Sequence, residues 1–181
     1  MIRLFEKEYL KAVKERFEDL KKLGDDTLVR LSGTDIHWQP NDESNNIAVI
    51  VKHLSGNMIS RWTDFLTTDG EKPNRHRDQE FEDTISSLEQ LTTAWEKGWG
   101  KAFETLNSLQ FEDLGKSVYI RGEEHTVIKA IERQLAHASY HIGQIIYIAK
   151  ILKGKEWESL SVPLGKSEEY LQTLLNKKNS K

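Results

Sequence analysis

The stretch EEHTVIKAIERQLAHASYHIGQIIYIAKILK, from Glu123 to Lys153, reads as one long helix carrying two histidines, His137 and His141. At a rise of about 1.5 Å per residue, a spacing of four stacks the two imidazoles about 6 Å apart along one face. Side chains so placed either chelate one metal ion from a rigid support or are two independently satisfied histidines. The residues between them, Ala138, Ser139 and Tyr140, exclude HExxH chemistry, because no glutamate stands where a zincin keeps its general base. The choice turns on what the rest of the chain brings to this face: a third ligand, a pocket wall or ordinary core.

Composition sets the outer limits. A chain of 181 residues is long enough to bury a core without staples, and no repeat or low-complexity linker divides it, so a single domain over 1–181 is expected. Lys and Arg number 26 against 29 Asp and Glu, a formal charge of -3, which lacks the basic excess of a nucleic-acid binder. The absence of cysteine removes disulfides, thiolate ligands and a Cys nucleophile, so any thiol chemistry needs a thiol from outside. The opening run MIRLFEKEYLKAVKERFEDLKK is too densely charged for a signal peptide, and no window approaches the roughly 20 apolar residues of a membrane span. A soluble cytoplasmic protein acting on small molecules, with no nucleic-acid or membrane partner, is the expectation.

Three further helices are legible. Ile2, Phe5, Tyr9, Val13, Phe17, Leu20 and Leu23 recur at steps of three and four, predicting a first helix with one core-facing stripe, stopped at Gly24 and followed by a short helical turn through Leu31. A second starts at Ser44 to Asn46, all credible N-caps, and runs through Ile47 to Leu66. Its apolar residues surround it, so it is deeply buried, and its His53 shares a face with Ile50, Asn57 and Ser60. A third runs from Asp83 or Thr84 through Leu109, with Trp95 and Trp99 as core and Gly98 and Gly100 permitting close packing. The connections are read as polar. In the first, Trp38 either packs over the end of the helices or walls a pocket, and His37 has no helical partner. Residues 67–83 read as a surface loop, with His76 solvated between two arginines. Val118 to Ile120 read as a short extended segment, Arg121-Gly122-Glu123 as a turn where Arg121 can meet an anionic group, and His125 as a surface residue. A small terminal helix around Tyr170, Leu171, Leu174 and Leu175 precedes a solvated basic tail.

His53 offers the pair in the long helix a third imidazole from across a bundle, where metal sites are commonly built. Three neutral imidazoles with open positions suit Zn, or another borderline divalent metal such as Ni. Asn57 and Gln144 lie one turn beyond ligands on similar faces, placed to hold an imidazole or meet a substrate. Tyr140 and Trp38 are candidates for the pocket wall.

The Trp38-Gln39-Pro40 loop, the His53-Leu54 helix, the IRGEEHTV run at 120–127 and the RQLAHASYHIGQIIYIAK run at 133–150 together resemble the DinB-like superfamily of small bacterial helical metalloproteins. The likeness in layout covers nearly the whole chain. It implies an all-α fold, a four-helix bundle of up-up-down-down type with a short C-terminal helix, and a His53, His137, His141 metal triad. Some members are metal-dependent hydrolases; others transfer or isomerise substrates with a low-molecular-weight thiol such as bacillithiol or mycothiol. The resemblance thus implies an enzyme whose divalent metal activates water or such a thiol for attack on a small electrophile. A homodimer suits such a bundle, although no exposed heptad seam defines one. The competing expectation is a noncatalytic metal-binding or dimeric stress-response module with a structural ion, favoured by the lack of a carboxylate at a fixed offset from the histidines to serve as general base.

Overall fold

The computed structural model describes residues 2–179. Among them, five helices and one two-stranded sheet follow in the order α1 Ile2–Leu28, α2 Ile47–Trp62, α3 Leu88–Ser108, β1 Ser117–Ile120, β2 Glu123–Thr126, α4 Val127–Lys153 and α5 Ser167–Asn179. The side chain of Ile2 and the last two tail residues, Ser180 and Lys181, lie outside the described residues. None of the described helices is long and apolar enough to cross a membrane.

In α1 the core face is Leu10, Val13 and Phe17, while Phe5 is 69% exposed. Four-residue steps each rotate the stripe by about 40°, so the run from Phe17 back to Phe5 has drifted off the core. The helix also passes through Gly24, the expected stop. Trp95 of α3 closes over that glycine, and its indole N–H donates to Asp25 Oδ1 at 2.6 Å.

Asn46 caps α2, its side-chain oxygen accepting from the Val49 N–H. The helix ends at Trp62 rather than Leu66, because Asp64 turns into the left-handed region (φ 46°). The start of α3 is also later than Asp83 or Thr84. Asp83 instead accepts hydrogen bonds from His37 Nδ1 at 2.8 Å and Asn46 Nδ2 at 2.7 Å, and Ser87 becomes the cap. Trp95 and Trp99 are buried, as their spacing predicts. Gly98 lets α3 close on α2, for a methyl there would lie 2.7 Å from Ser55 Cα; Gly100 faces open space. α2 packs against α3 and α4, and α1 against the same two helices. The inward-facing side chains form one core around Phe17, Leu54, Met58, Trp62, Trp99 and Ile142.

The segment quoted at the outset is not helical throughout. Glu123 to Thr126 form β2, antiparallel to β1 with Ile120 opposite Glu123 and Ser117 opposite Thr126, and α4 begins at Val127 with Thr126 as its cap. Arg121 (φ 57°) and Gly122 (φ 77°) make the two-residue turn, the positive-φ pair that matches the strands' twist. Asp69 holds this turn by accepting the N–H groups of Arg121 at 2.9 Å and Gly122 at 2.7 Å. Beyond α4 the chain returns to the turn that follows α1, where Arg30 lies over the Trp157 ring and donates to the Glu158 carbonyl.

Candidate metal centre

His53 is delivered by α2 and the pair His137 and His141 by α4, and one ring nitrogen from each lies within 4.8 Å of the others. His53 Nε2 and His137 Nε2 are 3.2 Å apart. His53 and His141 are buried and His137 is partly exposed. The same-face spacing on α4 and the facing imidazole on α2 therefore meet as expected.

Each outer ring nitrogen shows how an imidazole is aimed. His53 Nδ1 donates to Glu80 Oε2 at 2.9 Å; a carboxylate only accepts, so in the neutral ring Nε2 carries the lone pair, and it faces His137 Nε2. His141 Nδ1 lies 2.8 Å from Gln144 Oε1, which in the same way leaves Nε2 free, and that buried nitrogen has no partner among the described residues. His137 Nδ1 is likewise buried without a partner. Burial, reinforced by the neighbouring imidazoles, depresses the His137 pKa to about 3. Burial lowers His141 to about 4, against the opposing bond from Gln144. At neutral pH these two rings are uncharged, the state that binds metal.

Glu80 belongs to the stretch expected to be a solvated loop, and the structure corrects that expectation. Its carboxylate is buried beside His53 and accepts from Arg75 Nε and Nη2, each at 2.8 Å. Burial would raise its pKa; the bonds from His53 and Arg75 and the charge of Arg75 outweigh that and hold it below the ordinary carboxylate value. The Arg75 side chain is only 4% exposed and also reaches Glu71 at 3.3 Å, which in turn takes bonds from Arg61 and Arg121. Gly56 of α2 makes room for this carboxylate, because a methyl there would lie 2.5 Å from Glu80 Oε1. Phe81 stacks on the His53 ring, with centroids 4.6 Å apart. His76 is exposed in the same segment, as expected.

A cleft of about 400 Å³ opens beside the imidazoles, lined by His53 and His137. Asn57, Tyr140 and Arg121 line it too, and Tyr140 also packs against the His141 ring at 4.4 Å. Gln144 is placed on His141 instead. Trp38 packs half-buried against the core and is not among the residues lining this cleft. His37 is engaged by Asp83, and His125 sits on β2 with its Nε2 3.8 Å from Glu123. Besides Glu80, two cleft residues went unread that helical spacing could have given: Arg61, eight positions after His53 on α2, and Gln134, three before His137 on α4.

No curated protein matches the chain. The family described as "Protein of unknown function (DUF1572)" matches residues 4–166, and with nearly the whole sequence covered the chain belongs to that family.

Proposed function

We propose that the protein is a divalent-metal-dependent enzyme of DinB-like type, with His53, His137 and His141 as the metal ligands. The observation that carries this is the convergence of three ring nitrogens within 4.8 Å, two of the rings aimed by Glu80 and Gln144 so that Nε2 faces inward. The donor set fits the group: nitrogens sharing one tetrahedral ion at about 2.0 Å stand about 3.3 Å apart, close to the 3.2 Å between His53 and His137. All-imidazole ligation suits Zn, with Ni as the alternative. Such an ion, when bound, is a Lewis acid that lowers the pKa of a coordinated water or of a low-molecular-weight thiol such as bacillithiol, for hydrolysis or S-transfer to a small electrophile.

The chain's own residues supply the setting. Glu80, braced by Arg75, fixes the tautomer and direction of His53. Burial raises the Tyr140 pKa, so this residue at the cleft is a hydrogen-bond donor at neutral pH and not a base. The four mutual packings among α1 to α4 form a closed circuit, which supports a four-helix bundle. A second reading, a noncatalytic module with a structural ion, is favoured by one feature: the cleft lining contains no carboxylate among the described residues.

Metal analysis of untagged protein tests the assignment. About one equivalent of Zn or Ni is expected, lost in His141→Ala. Absence of stoichiometric metal, or an unchanged content in that variant, removes the site. Chelation followed by thermal melting separates the two readings: a large fall in stability marks a structural ion, whereas a small fall with an exchangeable ligand position marks chemistry.

A further inference from the structure

The cleft beside the imidazoles is strongly cationic and incompletely bonded. Arg61, Arg77, Arg121 and Arg133 all line it, without one acidic side chain among the described lining residues. Glu71 lies behind them, shared by Arg61, Arg75 and Arg121, and the exposed Asp78 stands 3.9 Å from Arg77, so the arginines outnumber the carboxylates beside them. At the inner wall, Arg61 is 7% exposed and Gln134 4% exposed. Arg61 Nη2 donates to Glu71 Oε2 at 3.2 Å, while its Nη1 is buried with no partner; Gln134 Nε2 and Asn57 Oδ1 are in the same condition. Buried polar atoms are nearly always bonded, and three residues lining one cleft each carry an unpaired one just beneath its surface, two of them donors.

We propose that this cleft binds a small acid, a compound whose carboxylate or phosphate oxygens are held by the Arg61 and Gln134 side chains, which turn their unpaired N–H groups toward it, with Arg77 and Arg133 drawing it in at the rim. Asn57 Oδ1 accepts from a hydroxyl or amide of the same compound, or its amide rotates to give a third donor. The volume of about 400 Å³ suits a metabolite-sized molecule and not a polymer. Arg61 and His53 lie on one face of α2, and Gln134 and His137 on one face of α4, so a molecule anchored by its acid group places its other end at the imidazoles. That this compound is the substrate rests on the metal reading above; its binding does not.

Titration calorimetry on the full chain, both zinc-loaded and chelator-stripped, with succinate, inorganic phosphate and the neutral succinamide as probes, tests the proposal. The stripped protein is expected to bind at least one of the two anions, and succinamide at least about tenfold more weakly. Succinate alone identifies a carboxylate site and phosphate alone a phosphate site; either supports the subsite. Arg61→Gln is expected to weaken binding by about tenfold or more. Because Arg61 is buried, the exposed pair Arg77→Gln with Arg133→Gln provides an independent measure, with a loss of about threefold or more and a shallower dependence on salt. No binding of either anion to the stripped protein, equal binding of succinamide, or unchanged affinity in the folded variants overturns the proposal. Zinc uptake by wild type and His137→Ala is read on the same samples. Anion binding without zinc uptake removes the metal reading and leaves the subsite; zinc uptake without anion binding does the reverse.

Discussion

Glu80→Gln preserves side-chain volume while removing one charge from a carboxylate that accepts three hydrogen bonds, from His53 Nδ1 at 2.9 Å and from Arg75 Nε and Nη2 at 2.8 Å each. A carboxamide has one oxygen, so it serves either His53 or Arg75, and its NH₂ confronts a donor on the other side. Arg75, 4% exposed, keeps only the longer contacts to Glu71 at 3.3 Å. Removing one partner of a buried pair costs about 3–5 kcal/mol; the surviving Glu71 places this case near about 3 kcal/mol. A second, separable loss falls on the metal. With His53 no longer fixed in its tautomer, zinc affinity should drop about 10- to 100-fold, the usual effect of losing the carboxylate behind a ligand imidazole. Urea unfolding of the metal-free proteins measures the first quantity, and competition with a chromophoric zinc chelator measures the second. A folded Glu80→Gln protein binding zinc within about threefold of wild type would show that Glu80 serves Arg75 alone, and the argument that it aims His53 would fail.

Three further outcomes follow from the same geometry. Gly56→Ala should destabilise the protein by about 1–2 kcal/mol despite the better helix propensity of alanine, because its methyl would stand 2.5 Å from Glu80 Oε1; in a Glu80→Ala background the cost should vanish, and equal costs in both backgrounds refute the contact. Lys153→Met should cost about 1 kcal/mol at pH 7. Its ammonium, 2.7 Å from Asp35 Oδ2, is the main cause of that carboxyl's lowered pKa. A depressed carboxylate stabilises above its unfolded pKa and loses that contribution as pH falls through the folded one, so the gap between wild type and variant in urea melts should close below about pH 4; a gap that persists in acid contradicts the assignment. Trp95→Phe removes the 2.6 Å bond to Asp25 and should cost about 1.5 kcal/mol in urea melts, whereas a neutral result would mean that Asp25 is held by Lys21 alone.

The histidine cluster was legible wherever helical periodicity carried the information. His53 on α2 and His137 with His141 on α4 each fall on an inward face, and three- and four-residue steps are enough to say so. Glu80 was not legible, because a polar, charged stretch has the same composition whether it faces water or folds inward as a paired network. Glu80 lies in a short 3₁₀ turn, Arg77–Phe81, and Arg75 stands five residues before it, outside that turn, a spacing with no periodic signature. The start of α4 was missed for a different reason. Glu123 and Glu124 favour helix locally, and only pairing with β1, fixed by the Arg121-Gly122 turn and the distant Asp69, draws them into a strand. Trp38 illustrates the limit of composition, since an aromatic in a polar loop reads the same whether it walls a pocket or closes a core.

The segment between α2 and α3 is joined to the hairpin by Asp69, to α2 by Glu71 and to the imidazoles by Glu80. If the imidazoles hold a metal ion as proposed, whatever orders this segment strengthens that hold, and by thermodynamic reciprocity the ion orders the segment by the same free energy. On that reading, backbone amide exchange or proteolytic nicking at 67–82 becomes a measure of metal occupancy made on a stretch that supplies no ligand of its own. The same linkage gives evolution or an engineer a handle on affinity in a stretch that touches the ion nowhere.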